Sequence, residues 1–204
     1  MKIETLNPIK IQISGLESFD FLQNLITNDL KKIVTSINSY ILTPQGKIYY
    51  DIQINKLEDG YEIFCSHDQS NFFTFFEKYS RLSEVELKII EITQLESNYI
   101  LHKLSKGIID ANILPQGTVL PSEVYDSYVD YQKGCYIGQE VVSRIKHRQL
   151  TKKIIKVYEF DKNDYEIIKN LEVLFEFRNY LIIRFSIDDF KNESFLKYNL
   201  KLIN

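Results

Sequence analysis

Residues 39–66 read SYILTPQGKIYYDIQINKLEDGYEIFCS. Two turn signals divide the stretch, Pro44-Gln45-Gly46 and Glu58-Asp59-Gly60. Proline and aspartate initiate tight turns, and glycine accepts the positive φ that such turns need. The residues between alternate with the period of a strand. Ile48, Tyr50, Ile52 and Ile54 fall on one side, and Lys47, Tyr49, Asp51 and Gln53 on the other. The stretch therefore predicts three strands joined by two turns. Upstream, PIKIQISG alternates Ile9, Ile11 and Ile13 with polar residues and closes at Gly15, a fourth strand. LESFDFLQNLITNDL puts Phe19, Leu22, Leu25 and Ile26 on one helical face, with Ser18 placed to cap it. Downstream, Ser66 and Gln69 form a capping-box pattern before a helix carrying Phe72, Phe73, Phe75, Phe76 and Tyr79. That aromatic run reads as core packing. ELKIIEI follows as a further strand. Strands, a helix and a strand in this order predict an α+β layer with the helix on one face of the sheet.

Between Lys106 and Asp130 periodicity fades, and Gly107, Pro115, Gly117 and Pro121 punctuate the chain. A long irregular stretch is usually functional or a crossing between layers. EVVSRIKHR then reads as a short helix with basic residues toward its C-terminal end, where the helix dipole favours them. Beyond Thr151 the texture becomes that of antiparallel strands: KKIIKVYEF, LEVLFEFRNYLIIRFSI with a turn at Arg178-Asn179, and FLKYNLKLI. This places a boundary near residue 150. The 204 residues suit one large domain or two small ones, and 44% hydrophobic with 26% charged residues describes a soluble globular chain. A net charge of −3 offers no broad basic field for nucleic acid. No apolar run reaches membrane-spanning length, and MKIETLNPIK lacks a signal-peptide apolar region. Neither nucleic acid nor membrane is an expected partner. Two distant cysteines make no disulfide framework, so the cytoplasm is the expected compartment.

Chemistry concentrates in KGCYIGQEVVSR, residues 133–144. A cysteine acts as nucleophile or metal ligand when it is a thiolate, which a neighbouring lysine and a helix N-terminus both stabilise. Lys133 and a helix opening near Gly138 offer both to Cys135, and the glycines would let a ligand approach the backbone. A buried, inert cysteine is the competing reading, since free Cys is among the most buried residue types. Cys65, within the apolar YEIFCS, reads as such a buried hydrophobe. His67 and His102 read as surface or locally satisfied residues, and His147 with Lys146 and Arg148 as a solvated basic face. Asp29, at a helix end that disfavours it, reads as an Asx-type turn.

KGCYIGQE resembles the signature of the YgfZ-type folate-binding proteins, relatives of the glycine-cleavage T protein that support iron–sulfur enzymes. ISGLESFDFLQNLITND, LTPQGKIYYD and GIIDANILPQGTVLPSEVYD resemble further segments of that family, so the likeness covers roughly the first three-quarters of the chain. The resemblance implies a split α+β domain over 1–149, with a ferredoxin-like insertion at about 33–93. A short C-terminal antiparallel β domain, a reduced form of the family's barrel, would follow over 150–204. It makes Lys133 and Cys135 the functional pair, with Tyr136, Gln139, Glu140 and Arg144 as the rest of the site. It implies a tetrahydrofolate-type cofactor. Gln23, Asn28, Asp29 and Asp51 are then candidates for the pterin edge, Tyr49, Tyr50 and Tyr136 for its walls, and Lys47 or Arg144 for its anionic tail.

Three departures from the family pattern stand out. Tyr50 takes the place of the first of two acids after the glycine turn, Lys103-Leu104-Ser105 replaces an Arg-x-Glu, and Gln149 replaces a glycine. The resemblance also implies an iron–sulfur role. Clusters usually take four ligands, so Cys135 could serve only a transient cluster shared with an assembly or client protein. The leading expectation is a folate-dependent accessory protein for iron–sulfur cluster assembly or repair. A folate-dependent aminomethyltransferase and a non-catalytic interaction module are the alternatives.

Overall fold

The computed structural model describes residues 6–90, 95, 98–161 and 168–203. Five strands form the first sheet: β1 (Ile9–Ser14), β2 (Ser36–Leu42), β3 (Ile48–Lys56), β4 (Tyr61–Cys65) and β5 (Glu86–Ile90), in the order β2-β3-β4-β1-β5. Each neighbouring pair is antiparallel. Both expected turns are present, with Gly46 at φ +74° and Gly60 at φ +95°. The last two residues of the expected ELKIIEI strand lie outside the described residues. β1 lies between β4 and β5, so this sheet includes a strand from before residue 33.

The alternation along β3 holds for Tyr50, Ile52 and Ile54, which are buried, and for Asp51 and Gln53 opposite them. It breaks at Tyr49. Ile41 pairs with Tyr50 and Leu42 with Ile48, which leaves Tyr49 as the extra residue of a bulge. A bulge re-aims a side chain, and Tyr49 packs with Tyr50 at a ring separation of 4.6 Å instead of facing with Asp51.

Helix α1 (Ser18–Gln23) is shorter than the expected one. Leu25 and Ile26 lie past its end but are still buried. Helix α2 (Phe72–Ser80) buries Phe72 and Phe76 against the sheet, as the aromatic pattern predicts. It is not capped by Ser66 and Gln69. Asn71 accepts from Thr74 N at 3.3 Å, and Asp68 accepts from Phe72 N at 3.0 Å. Helix α3 (Tyr99–Ser105) leads into the irregular stretch, which holds three short 3-10 turns at Ala111–Ile113, Pro121–Glu123 and Asp126–Tyr128.

After α4 (Gln139–His147) comes a second antiparallel sheet, β6 (Lys153–Glu159), β7 (Glu172–Phe177), β8 (Tyr180–Ser186) and β9 (Lys201–Leu202), in the order β7-β8-β6-β9. FLKYNLKLI is not one strand. Ser194–Tyr198 forms a 3-10 turn, and only Lys201–Leu202 pairs with β6. A short helix, α5 (Ile187–Lys191), precedes it, capped by Ser186, which accepts from Asp189 N at 3.0 Å. The sheets share a core: Tyr40, Leu42 and Ile48 of the first sheet pack in one cluster with Ile155, Val157, Phe175 and Ile182 of the second. The irregular stretch is folded into that cluster through Ile109, Ile113, Leu114, Val119 and Val129. It is therefore a crossing between layers, and burial explains its apolar residues.

Candidate functional site

The KGCYIGQE loop is built by contacts distant in sequence. Asp130 starts it, accepting from Gln132 N at 2.9 Å and pairing with Lys32. The Lys133 side chain then runs inward and is buried. Its ammonium donates to the carbonyl oxygens of Gln23 (2.6 Å), Ile26 (2.6 Å) and Asn28 (3.1 Å), and sits 5.1 Å from the centre of the Tyr136 ring. Burial pulls its pKa down to about 8, against the opposing charges of Asp29 and Asp130. An ammonium has three protons, and here all three go to backbone oxygens. None of these three bonds is directed at Cys135. Lys133 pins the motif to the segment after α1.

Gly134 and Cys135 form the exposed crest of the loop. Tyr136 turns back into the shared core and is 7% exposed, so it is no wall for a ligand. Its hydroxyl has no hydrogen-bond partner among the described residues. Gln139 closes the loop: its side-chain amide donates to the carbonyls of Lys133 (3.2 Å) and Gly134 (3.4 Å). The two motif glycines do different jobs. Around Gly134 a Cβ would meet nothing within 4 Å. Gly138 is the N-cap of α4 at φ +81°, and a Cβ there would lie 2.5 Å from Thr43 O and 3.1 Å from Gly46 Cα. Gly138 is thus needed because the β2–β3 turn packs against it, not because a ligand does. Glu140 is exposed in the first turn of α4 and Arg144 in the last, each at the end where the dipole suits its charge. α4 ends in a Schellman pattern: Gln149 N donates to Lys146 O (3.1 Å) and Leu150 N to Ile145 O (3.0 Å). Gln149 takes the glycine position of that motif at φ +51°.

The opening motif is a second hub. Thr27 is fully buried; its hydroxyl donates to Tyr128 O at 2.7 Å and accepts from Tyr40 N at 2.9 Å. Asn28 donates to Asn38 O at 2.9 Å. Asp29 accepts from Lys31 N at 3.0 Å, the expected Asx-type turn, and from Gln23 Nε2 at 2.8 Å. Although burial works against it, these bonds hold the Asp29 carboxyl below its usual value. Gln23 Oε1 accepts from Leu30 N at 3.0 Å. Gln23, Asn28 and Asp29 are brought together and bond to one another and to the backbone, which ties down the segment after α1.

Asp51 lies elsewhere. Its Oδ2 accepts from Ala111 N at 3.0 Å, and burial, followed by the charge of Asp110, pushes its carboxyl well above the carboxylate range. The Asn112 amide accepts from Asp51 N (2.9 Å) and donates to Asp51 O (2.7 Å), reproducing the bonds of a neighbouring strand where β4 does not reach. Asp51 borders a cavity of about 70 Å³ with Asn38, Gln53, Tyr99, Lys103 and Asp110. Sequence reasoning missed Tyr99, Asp110 and Asn112. The Asp-x-Asn of GIIDANI carried a signal, since Asp110 makes an Asx turn to Asn112 N at 3.0 Å.

At about 30 Å³ per water, 70 Å³ holds roughly two waters. Small-molecule sites run to about 300–1,000 Å³. The cavity does not fit the expected folate. Tyr50 cannot help: its hydroxyl lies 2.9 Å from Ser70 Oγ on the α2 face of the sheet, and burial pushes its phenol up. Ser105 is exposed and bonds back to His102 O at 3.0 Å. Cys65 is fully buried in β4, as expected, and burial pushes its thiol up.

No protein-family model matches the chain. It is 22% identical to the iron–sulfur cluster assembly factor IBA57 homolog, mitochondrial, of Mycosarcoma maydis, over 71% of this chain and 53% of that protein. The protein of the same name from Neurospora crassa is 39% identical over 64 residues, 29% of this chain and 15% of the relative. The chain thus spans about half the length of the first relative. Among solved structures, the glycine cleavage system aminomethyltransferase T of Bartonella henselae matches with a TM-score of 0.65 at 10% identity, over 89% of this chain and 76% of that one. The chain shares that fold. Iron–sulfur assembly relatives and a T-protein fold together bear out the resemblance to the YgfZ-type proteins.

Proposed function

We propose that this chain is an accessory factor for iron–sulfur cluster assembly or repair, in which Cys135 gives one thiolate to a cluster completed by a partner protein. The observation that carries the reading is the exposed Cys135 at the crest of a loop tied down on both sides. A fixed crest presents the sulfur to a docking partner at little ordering cost. Among the described residues no group of three or more His, Cys, Asp or Glu side chains is placed to hold a metal ion. The remaining ligands must come from the partner, so the cluster is cargo. Lys133 acts by positioning the loop. The named roles of the sequence relatives point the same way.

The resemblance implies a tetrahydrofolate-type cofactor, but the Asp51 cavity is too small for it, so no step of this reading is routed through that site. Aminomethyl transfer lacks its first acid, since Tyr50 takes that place, and the Tyr50 side chain lies on the opposite face of the sheet from the cavity. We retain the organisation expected from the resemblance as part of the proposal: 1–149 with an insertion at about 33–93, then a reduced barrel over 150–204. Two free cysteines suit a reducing compartment, and we assign the cytoplasm, although the relatives are named mitochondrial. No helix among the described residues is long and apolar enough to cross a membrane.

The test is complementation. In cells depleted of the factor, Cys135→Ser is expected to accumulate normally yet fail to restore iron–sulfur enzyme activity. Full restoration would remove the thiol from the function. A stable cluster assembled anaerobically on the isolated chain would contradict the sharing.

A further inference from the structure

The bulge turns Tyr49 to the α2 side of the sheet, where it lines a cleft separate from the Asp51 cavity. The cleft has a volume of about 440 Å³, within the usual range of small-molecule sites. Tyr49, Phe75 and Tyr79 make one wall, with ring separations of 5.9 Å and 4.8 Å along the row. Pro44 and Ile137 stand among the other lining residues. Lys78 is the one charged side chain lining it among the described residues, and no carboxylate does.

The hydroxyls there are ordered. Ser70 Oγ donates to Tyr49 Oη at 3.1 Å and lies 2.9 Å from Tyr50 Oη. A serine has a single proton. With that proton given to Tyr49, Tyr50 donates to Ser70, and Tyr49 keeps its own proton to donate outward. The cleft therefore offers an aromatic wall, a directed O–H donor and a cation. We propose that it binds a planar aromatic ligand bearing an anionic group, with the ring against Tyr49 and Tyr79 and the anion near Lys78. The rings recognise the ligand's face, and the two donors select its charge. The inference does not depend on Cys135.

Anilinonaphthalene sulfonate, a planar aromatic anion, is the probe, and uncharged phenylnaphthylamine is its control. The sulfonate dye is expected to bind the full chain saturably at one site by fluorescence titration. Tyr49→Phe and Lys78→Glu should each weaken it about three- to tenfold and leave the uncharged dye unchanged. Thr74→Trp, which fills the cleft, should block both dyes, with melting temperatures confirming that each variant folds. Unsaturable binding, binding that survives Thr74→Trp, or equal losses for the two dyes would overturn the proposal. Pteroylglutamate and adenosine monophosphate then compete against the dye. Displacement by one names the source of the ligand, and displacement by neither refutes a site for a biological planar anion. Loss of dye binding with Cys135-dependent complementation intact separates this proposal from the accessory-factor reading.

Discussion

Gly138→Ala tests whether the motif glycine serves packing. A Cβ at this position meets Thr43 O at 2.5 Å and Gly46 Cα at 3.1 Å, and the backbone is held at φ +81°. The left-handed conformation costs a non-glycine residue about 1–2 kcal/mol. Forcing apart two packed backbones adds about 1–3 kcal/mol. Alanine's lower unfolded-state entropy returns about 0.4–1 kcal/mol. The net loss is roughly 3 kcal/mol, and at ~2–4 °C per kcal/mol for a chain of this size the melting temperature should fall by about 6–12 °C. Gly134→Ala is the internal control: nothing lies within 4 Å of its Cβ and its φ is not positive. It should stay within about 0.5 kcal/mol of the parent. Differential scanning calorimetry of the two variants decides the matter. Equal melting temperatures, or a larger drop for Gly134→Ala, would show that the glycines are not divided between packing and access.

Three further outcomes are expected. A thiol reagent should titrate one fast cysteine in the native chain and two after denaturation, with the fast one lost in Cys135→Ser; a second fast thiol would mean that Cys65 is not buried as described. Gln149→Gly should stabilise the chain by about 0.5–1 kcal/mol, because glycine fits the Schellman position at φ +51° without strain, and thermal melts should show it. Asp51 has a folded pKa above its unfolded value of about 3.9, so the folded state holds the proton longer. Its contribution to stability is therefore fully present below about pH 4 and is lost as pH rises through the folded value. In urea unfolding the parent should lose stability relative to Asp51→Asn as pH rises above about 4, and the reverse order would contradict the burial argument.

The strands of the first sheet were legible because alternation and glycine turns are local. The alternation from Tyr50 to Ile54, with Gly46 and Gly60 at positive φ, required no knowledge of neighbours, whereas Ile48, expected on their side, lies in the core shared with the second sheet. The Tyr49 bulge was not legible, because an extra residue shows itself only against the partner strand, here between Ile41 and Leu42. FLKYNLKLI misled because its apolar spacing suits a strand, whereas Asn199 at φ +53° breaks it after a 3-10 turn. The α5 cap was visible in principle, as Ser186 followed three residues later by Asp189. At the site, the exposed Cys135 could be anticipated from its flanking glycines. The anchoring of Lys133 could not, since its three acceptors lie more than a hundred residues away. The same is true of Asn112, which completes a sheet edge 61 positions distant.

The interior that joins the two sheets sets how the molecule comes apart. Tyr40 and Leu42 rest in the same cluster as Ile155, Val157 and Ile182. A protease cut or engineered stop near residue 150 would strip both fragments of their lining and leave each adhesive. The change in sequence texture at that point marks no line of cleavage, and heating should melt both halves together, in one cooperative step.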